Sequence, residues 1–297
     1  MKKYFSVFLL FFITTSVFAV SVVDDEGRTI ELVKPAQRVI TLAPSLTEMM
    51  YSVGAQDQLV ATVQSSDYPV AAKEKPVVGN YERFVLEKLV SFQPDLVISW
   101  TSVNNSRQLK QLENLGIPIY KSEPRALLDI SRTLKNIGIL TGHTAQANRI
   151  AKAFNTRLKH LNASNKNKVE LNAFYQIWYQ PIYTINGKHS ISNIMRLCGL
   201  KNVFESAIIL APKITVESVI SHNPDMIIVN KLALMQPEWR DMWEKWPSIS
   251  AVKYKNIFYI DPDLIHRQSI RILDAAELMC KQADRARLNM KRYRLKK

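Results

Sequence analysis

The chain contains one structural unit twice, and this repeat limits the folds that it can adopt. Residues 86–100 (LEKLVSFQPDLVISW) and residues 216–230 (VESVISHNPDMIIVN) are identical at five of fifteen positions. Each segment has the pattern of a short helix, a Pro-Asp turn and a buried strand. Convergence on a common unit is one explanation, but a second pair of predicted helices, ending at Gly54 and at Gly199, favours duplication. The sequence therefore predicts two similar α/β lobes.

Short β-branched runs alternate with helical periodicity in the first half of the chain. A hairpin is predicted over residues 22–32, strands over residues 39–42, 59–63, 95–100 and 117–120, and helices near residues 86–92 and 106–115. Alternation at this spacing predicts parallel sheets covered on both faces. In addition, Ser45-Leu46-Thr47-Glu48 has the form of a capping box, which predicts the start of a helix.

The connection between the two halves has a helical pattern of its own. Residues 144–161 carry apolar side chains at helical spacing and contain no Gly or Pro. Such a helix would be about 27 Å long, enough to cross from one lobe to the other. The predicted fold is therefore two parallel-sheet α/β lobes, residues 20–143 and 164–297, bridged by one long rigid helix, residues 144–163.

Scarce glycine and histidine exclude several motifs. None of the eight glycines has the spacing of a dinucleotide-binding loop, a P-loop or a nucleophile elbow. The five histidines include no pair within four residues, so each is interpreted as a surface or capping residue and no metal site is predicted. Nothing marks an activated serine. The sequence therefore favours binding over catalysis, with an exported enzyme as the alternative from another class.

The net charge of +14 is concentrated at the ends of the chain. Lys2 and Lys3 precede an apolar stretch that ends in Val17-Phe18-Ala19, the pattern of a secretory signal peptide over residues 1–19. Seven more basic residues and no acid lie in a C-terminal tail, residues 285–297. Because the body is only weakly basic, no nucleic-acid partner is expected, and the expected location is the periplasm.

The expected export also affects the predicted redox state of the two cysteines, Cys198 and Cys280. In an oxidising compartment an even number of cysteines favours a disulfide, and two separately buried thiols are the alternative. In the chain-entropy model, closing a loop of roughly 80 residues stabilises the fold by about 4 to 5 kcal/mol.

Aromatic and charged side chains mark a candidate ligand site. Trp100 stands at the carboxyl end of its predicted strand, where open parallel sheets bind ligands. Asp263 and Arg267 follow another predicted strand, residues 257–260. Further aromatic residues lie near turns or in the first part of the second half: Tyr81, Trp178, Tyr179 and Tyr183. Such a set suits a large, flat, partly apolar ligand, and ordinary packing is the alternative for each aromatic residue.

Glu87 and Glu217 occupy the same position in the two repeated units. Each lies at the start of a short predicted helix, where the helix dipole favours a carboxylate, so capping is one explanation. Two matched carboxylates, one per lobe, would also form a fixed pair that docks on a two-fold symmetric basic partner.

Several motifs, taken in order, resemble one family over nearly the whole chain after residue 19. They are the hairpin DDEGRT at residues 24–29, RVITLAPSLTE at residues 38–48, SDYP at residues 66–69, both Pro-Asp repeats, and Cys198-Gly199. The chain resembles the periplasmic solute-binding proteins of ABC importers for iron siderophores, haem and cobalamin. The resemblance implies two α/β lobes joined by a long helix, a ligand site in the cleft, no catalysis and no resident cofactor.

The resemblance further implies partners. Cobalamin or a related corrinoid is the expected ligand, with a ferric siderophore or haem as the alternative. The protein is expected to be a monomer that meets an inner-membrane ABC permease with its ATPase, and Glu87 and Glu217 match carboxylates that contact arginines of the permease. Cys198 and Cys280 match a disulfide-bonded pair.

The resemblance also assigns the ligand-lining positions, which are Tyr81, Trp100, Tyr183, Asp263 and Arg267. Ser65 and Ala211 depart from the family pattern, because a tyrosine and a tryptophan are expected at those positions. Trp178 and Tyr179, beside a one-residue insertion, are expected to refill the cleft.

Overall fold

The computed structural model describes residues 19–230 and 236–295. The predicted signal peptide lies outside the described residues except for Ala19. In the part of the chain that the structure describes, no helix is both long and apolar enough to span a membrane.

The described chain forms two sets of strands and helices on either side of a long helix. The first set is β1 (Val20–Val23), β2 (Thr29–Leu32), β3 (Val39–Thr41), α1 (Pro44–Ser52), β4 (Leu59–Ala61), α2 (Leu86–Ser91), β5 (Leu96–Trp100), α3 (Ser106–Asn114), β6 (Ile119–Ser122) and α4 (Leu127–Leu140). The long helix is α5 (Thr144–Asn165). The second set is β7 (Leu171–Gln176), β8 (Ile182–Tyr183), α6 (Ser190–Leu197), β9 (Leu200–Asn202), β10 (Lys213–Ile214), α7 (Val216–His222), β11 (Met226–Asn230), α8 (Pro237–Asp241), α9 (Ser250–Lys253), β12 (Ile257–Ile260), α10 (Pro262–Ile265) and α11 (Ile272–Leu295).

Each set builds a four-stranded sheet, and the two sheets share one strand order. The first sheet runs β4-β3-β5-β6 and the second β9-β7-β11-β12, and all neighbouring strands are parallel. If the four strands of each sheet are numbered by their order along the chain, both sheets have the spatial order second, first, third, fourth. The repeated units are α2–β5 and α7–β11, so each supplies the third strand of its sheet. The predicted α/β fold with two parallel-sheet lobes is confirmed, and the common topology agrees with duplication.

Side chains along the central strands alternate between two cores. In β5, Leu96 and Ile98 belong to the largest hydrophobic core, whereas Val97 belongs to a separate cluster on the other face. In β11, Ile228 belongs to the same large core and Ile227 to a third cluster. The large core therefore runs from one lobe into the other, and each sheet has a further core of its own.

Helix α5 packs against both sets of elements. Its buried residues Ala147, Phe154 and Leu161 belong to the large core, and it contacts α4 of the first set and α6 and α11 of the second. Its close approach to α4 requires Gly138, because a Cβ added there would lie 2.2 Å from the Cβ of Ala147. The helix covers the segment for which one long helix is predicted. The lobe boundaries at residues 143 and 164 stay a prediction.

The capping box predicted at Ser45 to Glu48 is wrong. The N-cap residue of helix α1 is Ala43, two residues before Ser45, so the helix begins at Pro44, and Ala43 makes no side-chain hydrogen bond. Proline suits this first position because its missing N–H needs no partner there. Glu48 is buried and bonded to the second lobe instead.

The predicted disulfide between Cys198 and Cys280 is confirmed, with the two Cα atoms 4.6 Å apart. The bond joins the end of α6 to the middle of α11. Arg287 of the basic tail reinforces this junction by donating to the carbonyl oxygens of Cys198 and Gly199 at 2.9 and 3.1 Å. This tail residue therefore has a structural role.

Removal of the disulfide is expected to destabilise the fold. Because the bond closes a loop with a sequence separation of 82 residues, the variant Cys198→Ala/Cys280→Ala should lose about 4 kcal/mol of unfolding free energy. Guanidinium unfolding measures the difference, and the wild type under reducing conditions should shift in the same direction. Coincident unfolding curves for the oxidised wild type and the variant would contradict the expectation.

Candidate functional site

A cavity of about 650 Å³ lies between the two lobes. The first lobe lines it with residues at or just after the ends of β3, β5 and β6, at positions 43–45, 100, 102, 103 and 123–125. The second lobe contributes residues 188–190, where α6 begins, and residues 266–268, between α10 and α11. The cavity therefore lies at the carboxyl ends of the strands, the edge at which open parallel sheets bind ligands.

Two of the predicted aromatic residues, Tyr81 and Trp100, line this cavity. Both are positioned by Asn104, which is 5% exposed. The Oδ1 atom of Asn104 accepts the backbone N–H of Trp100 at 2.6 Å, and its Nδ2 donates to the carbonyl oxygen of Tyr81 at 2.5 Å. The indole Nε1 of Trp100 donates to Ser102 Oγ at 3.1 Å. Nothing in the local sequence marks Asn104, because only the folded chain brings Tyr81 and Trp100 to the same amide.

Three other predicted aromatic residues do not line the cavity. Trp178 and Tyr179 pack on Trp239, with ring centroids 5.1 and 5.6 Å apart. Tyr183 pairs with Lys213 in the β8–β10 ribbon. The structure therefore brings Tyr81 and Trp100 together on the cavity and places Trp178 and Tyr179 around Trp239 instead.

The positions that depart from the family pattern are Ser65 and Ala211. Ser65 is exposed in the loop after β4, in the left-handed region with φ 64°. Ala211 follows Leu210, which lines the cavity. Neither Ser65 nor Ala211 is among the described residues that line the cavity.

Arg267 is the predicted polar residue that lines the cavity, and it is held by three carboxylates. Its guanidinium donates to Glu48 at 3.1 Å, to Asp67 at 2.7 Å and to the predicted site residue Asp263 at 2.9 Å. Burial alone would raise the pKa of the Asp67 carboxyl, but the hydrogen bond and positive charge of Arg267 lower that pKa below its ordinary value. Arg267 is therefore oriented before any ligand binds.

Glu48 is the centre of a wider network between the lobes. Its side chain accepts hydrogen bonds from Nε and a terminal nitrogen of Arg271 at 3.0 and 2.8 Å, and from the hydroxyl of Ser269. The guanidinium of Arg271 also lies over the ring of Tyr68, 3.7 Å from its centroid, a cation–π contact. The network ties α1 of the first lobe to the segment that leads into α11 of the second.

Two histidines, His189 and His266, line the same cavity. His189 caps α6, since its Nδ1 accepts the backbone N–H of Ile191 at 3.1 Å. Burial, reinforced by the nearby His266, lowers the pKa of His189 to about 4. His266 Nε2 lies 2.8 Å from the hydroxyl of the buried Tyr175. Among the described residues, no three His, Cys, Asp or Glu side chains form a group that could hold a metal ion.

Glu87 and Glu217 lie outside the cavity, in the first turns of the equivalent helices α2 and α7. Both side chains are exposed. Hydrogen bonds from its own backbone N–H and from the Thr215 hydroxyl lower the pKa of Glu217, which agrees with a capping role. Helix α2 has no side-chain hydrogen bond at its cap.

A cavity between two α/β lobes, with an aromatic wall and a pre-oriented arginine, defines a two-lobed ligand-binding protein. A family model described as periplasmic binding protein matches residues 39–264. The chain belongs to this family, as the resemblance in its sequence implies.

Relatives within the family are similar over most of their length. The vitamin B12-binding protein of Vibrio campbellii is 32% identical over 254 residues, which cover 85% of this chain and 91% of that protein. The crystal structure of the periplasmic vitamin B12-binding protein of Vibrio cholerae matches with a TM-score of 0.80 at 31% identity, covering 85% of this chain and 98% of that one. A periplasmic haem-binding protein from Roseiflexus sp. RS-1 shares the fold, with a TM-score of 0.76 at 18% identity over 84% of this chain and 99% of that one.

Glu48→Gln is expected to destabilise the protein by about 3 kcal/mol, because breaking a buried ion pair leaves Arg271 without a carboxylate. Urea unfolding measures the change. Glu87→Gln is the matched control, since the same substitution at an exposed position should stay within about 0.5 kcal/mol of the wild type. Equal stability of the two variants would show that the Glu48 network contributes nothing to the free energy of unfolding.

Proposed function

We propose that the protein captures a corrinoid, cobalamin or a close relative, in the cavity between its lobes and delivers it to an inner-membrane ABC permease. The observation that carries the proposal is the aromatic wall of Tyr81 and Trp100 in a cavity that also holds the oriented Arg267. A flat macrocycle matches aromatic faces of this kind. Binding is reversible, through stacking and hydrogen bonds, with no covalent bond made or broken.

The names of the similar proteins support this ligand. The curated relatives from Vibrio campbellii and from Pectobacterium carotovorum, the second 33% identical over 253 residues, are both vitamin B12-binding proteins. They also support a periplasmic location, since the similar solved structure is that of a periplasmic protein. Residues 1–19 would then direct export.

The competing ligand is haem or a ferric siderophore. Tyr81, 44% exposed and on the cavity, offers a phenolic oxygen of the kind that binds iron. Native mass spectrometry of protein purified from its own periplasm separates these ligands by mass. Turnover of a cavity ligand by the purified protein would instead support an exported enzyme and overturn the transport function.

Titration with cyanocobalamin is expected to show saturable binding that depends on Trp100. Trp100→Ala should weaken the affinity about tenfold, because it removes a stacking face and its buried area. Trp178→Ala is the matched control, since Trp178 packs on Trp239 and not on the cavity, and it should change the affinity less than about threefold. The proposed ligand is wrong if the folded wild type does not bind cyanocobalamin at saturating concentration.

We further propose that Glu87 and Glu217 form the docking pair for the permease. They are exposed at equivalent positions of two lobes that share one strand order. The approximate symmetry of the fold therefore relates one carboxylate to the other. A two-fold symmetric partner with basic residues is complementary to such a pair. Glu217 is hydrogen-bonded to its own backbone N–H and to the Thr215 hydroxyl, and Glu87, like Glu217, lies in the first turn of its helix.

The docking pair should affect transport and not ligand affinity. Glu87→Ala/Glu217→Ala is expected to reduce ligand-dependent stimulation of the permease ATPase in proteoliposomes while the dissociation constant for cyanocobalamin stays unchanged. Glu31→Ala/Glu170→Ala removes two other exposed carboxylates, one per lobe, and should leave both quantities unchanged. An equal loss of affinity and of stimulation would count against docking.

A further inference from the structure

One end of the cavity carries hydrogen-bond donors from both lobes. Arg125 follows β6 in the first lobe, Lys188 and His189 precede α6 in the second, and all three line the cavity. The two segments touch, because Asn193 Nδ2, in α6, donates to the carbonyl oxygen of Arg125 at 3.1 Å. The three side chains therefore belong to one region of the cavity wall, here called the donor end.

The positive charges of the donor end have no carboxylate partner among the described residues. Arg125 and Lys188 are both exposed, whereas Arg267 on the same cavity is paired with three carboxylates. The carboxylate that lines the cavity beside Arg125 is Glu123, and it accepts the backbone N–H of Ser102 at 2.9 Å, next to Trp100. Glu123 is thus held toward the aromatic wall.

His189 adds a donor of fixed direction. Its Nδ1 is occupied by the backbone N–H of Ile191, so in the neutral ring the proton resides on Nε2. The lowered pKa of His189 keeps the ring neutral at neutral pH. Nε2 can therefore donate a hydrogen bond to a ligand, but it cannot coordinate a metal while His189 caps α6.

We propose that the donor end binds an anionic group at the edge of the ligand, a phosphodiester or a carboxylate. Two cationic side chains and one neutral N–H offer donors together with positive charge, and an anion forms the strongest, charge-assisted hydrogen bonds with such a set. The inference rests on the proposed function for the identity of the group. In a complete corrinoid it is the phosphodiester of the nucleotide loop, and in haem it is a propionate.

The test compares cyanocobalamin with dicyanocobinamide, which has the corrin ring but no phosphodiester. In Arg125→Ala/Lys188→Ala, the affinity for cyanocobalamin should fall about tenfold or more, since two charge-assisted contacts are lost, while the affinity for dicyanocobinamide should change less than about threefold. The control Lys152→Ala/Lys159→Ala removes the same charge from exposed positions of α5 and should bind both like the wild type. His189→Asn keeps a good N-cap residue and should selectively weaken cyanocobalamin by a smaller factor.

The remaining outcomes separate this inference from the proposed function. Equal effects of Arg125→Ala/Lys188→Ala on both corrinoids, or no effect on either, would overturn the anion site and leave corrinoid binding intact. If neither corrinoid binds but haem binds and is weakened by the same variant, the anion site is supported and the corrinoid function is wrong. A folded protein that binds none of the three probes would overturn both.

Discussion

The buried carboxylate of Glu48 is the interaction on which the geometry of the site depends. Glu48 is 2% exposed, so its charge must be paired inside the protein. Its arginine partners lie 219 and 223 residues further along the chain, which forces two distant segments to meet. Because the network also holds Arg267 in place, the cavity is formed before a ligand arrives. A preformed cavity limits the entropy that is lost when a rigid, flat ligand binds.

The two lobes share a topology but not a ligand wall. The repeated unit ends in Trp100 in the first lobe and in Asn230 in the second, so the duplicated strand supplies an aromatic face on one side only. The second lobe lines the cavity with residues 188–190 and 266–268, which belong to other elements. Glu87 and Glu217, by contrast, keep their matched positions. The symmetry of the fold is thus retained on the outer surface and lost inside the cleft. This difference is expected if the outer surface contacts a symmetric partner and the cleft binds an asymmetric ligand.

Local patterns predict the fold well and the site only in part. The repeated unit, the long helix and the short parallel strands are set by hydrophobic periodicity within each segment, and these predictions agree with the structure. The prediction of a capping box is wrong because it uses only the local spacing of Glu48, which is typical of a cap. The actual partners of Glu48, Arg267 and Arg271, are remote in sequence. Trp178 is placed on Trp239 by the same kind of remote contact. His189 is a capping residue, as one of its two interpretations predicts, but only the folded chain brings it to the wall of the cavity.

Rigidity at the cleft constrains how a ligand can leave. Separating the lobes would break the hydrogen bonds of Glu48 with Arg267, Ser269 and Arg271, and the charged groups would regain water as they part. Glu87 and Glu217 are both exposed, so solvent screens any ion pair that they form with a partner. If Glu87 and Glu217 dock as proposed, such screened contacts position the protein on its partner and do not by themselves open the cleft. Arg125 and Lys188 are exposed and line the cavity, so under the same proposal they are accessible to a partner. A partner that competes for these donors would weaken the hold on an anionic ligand group without moving the lobes.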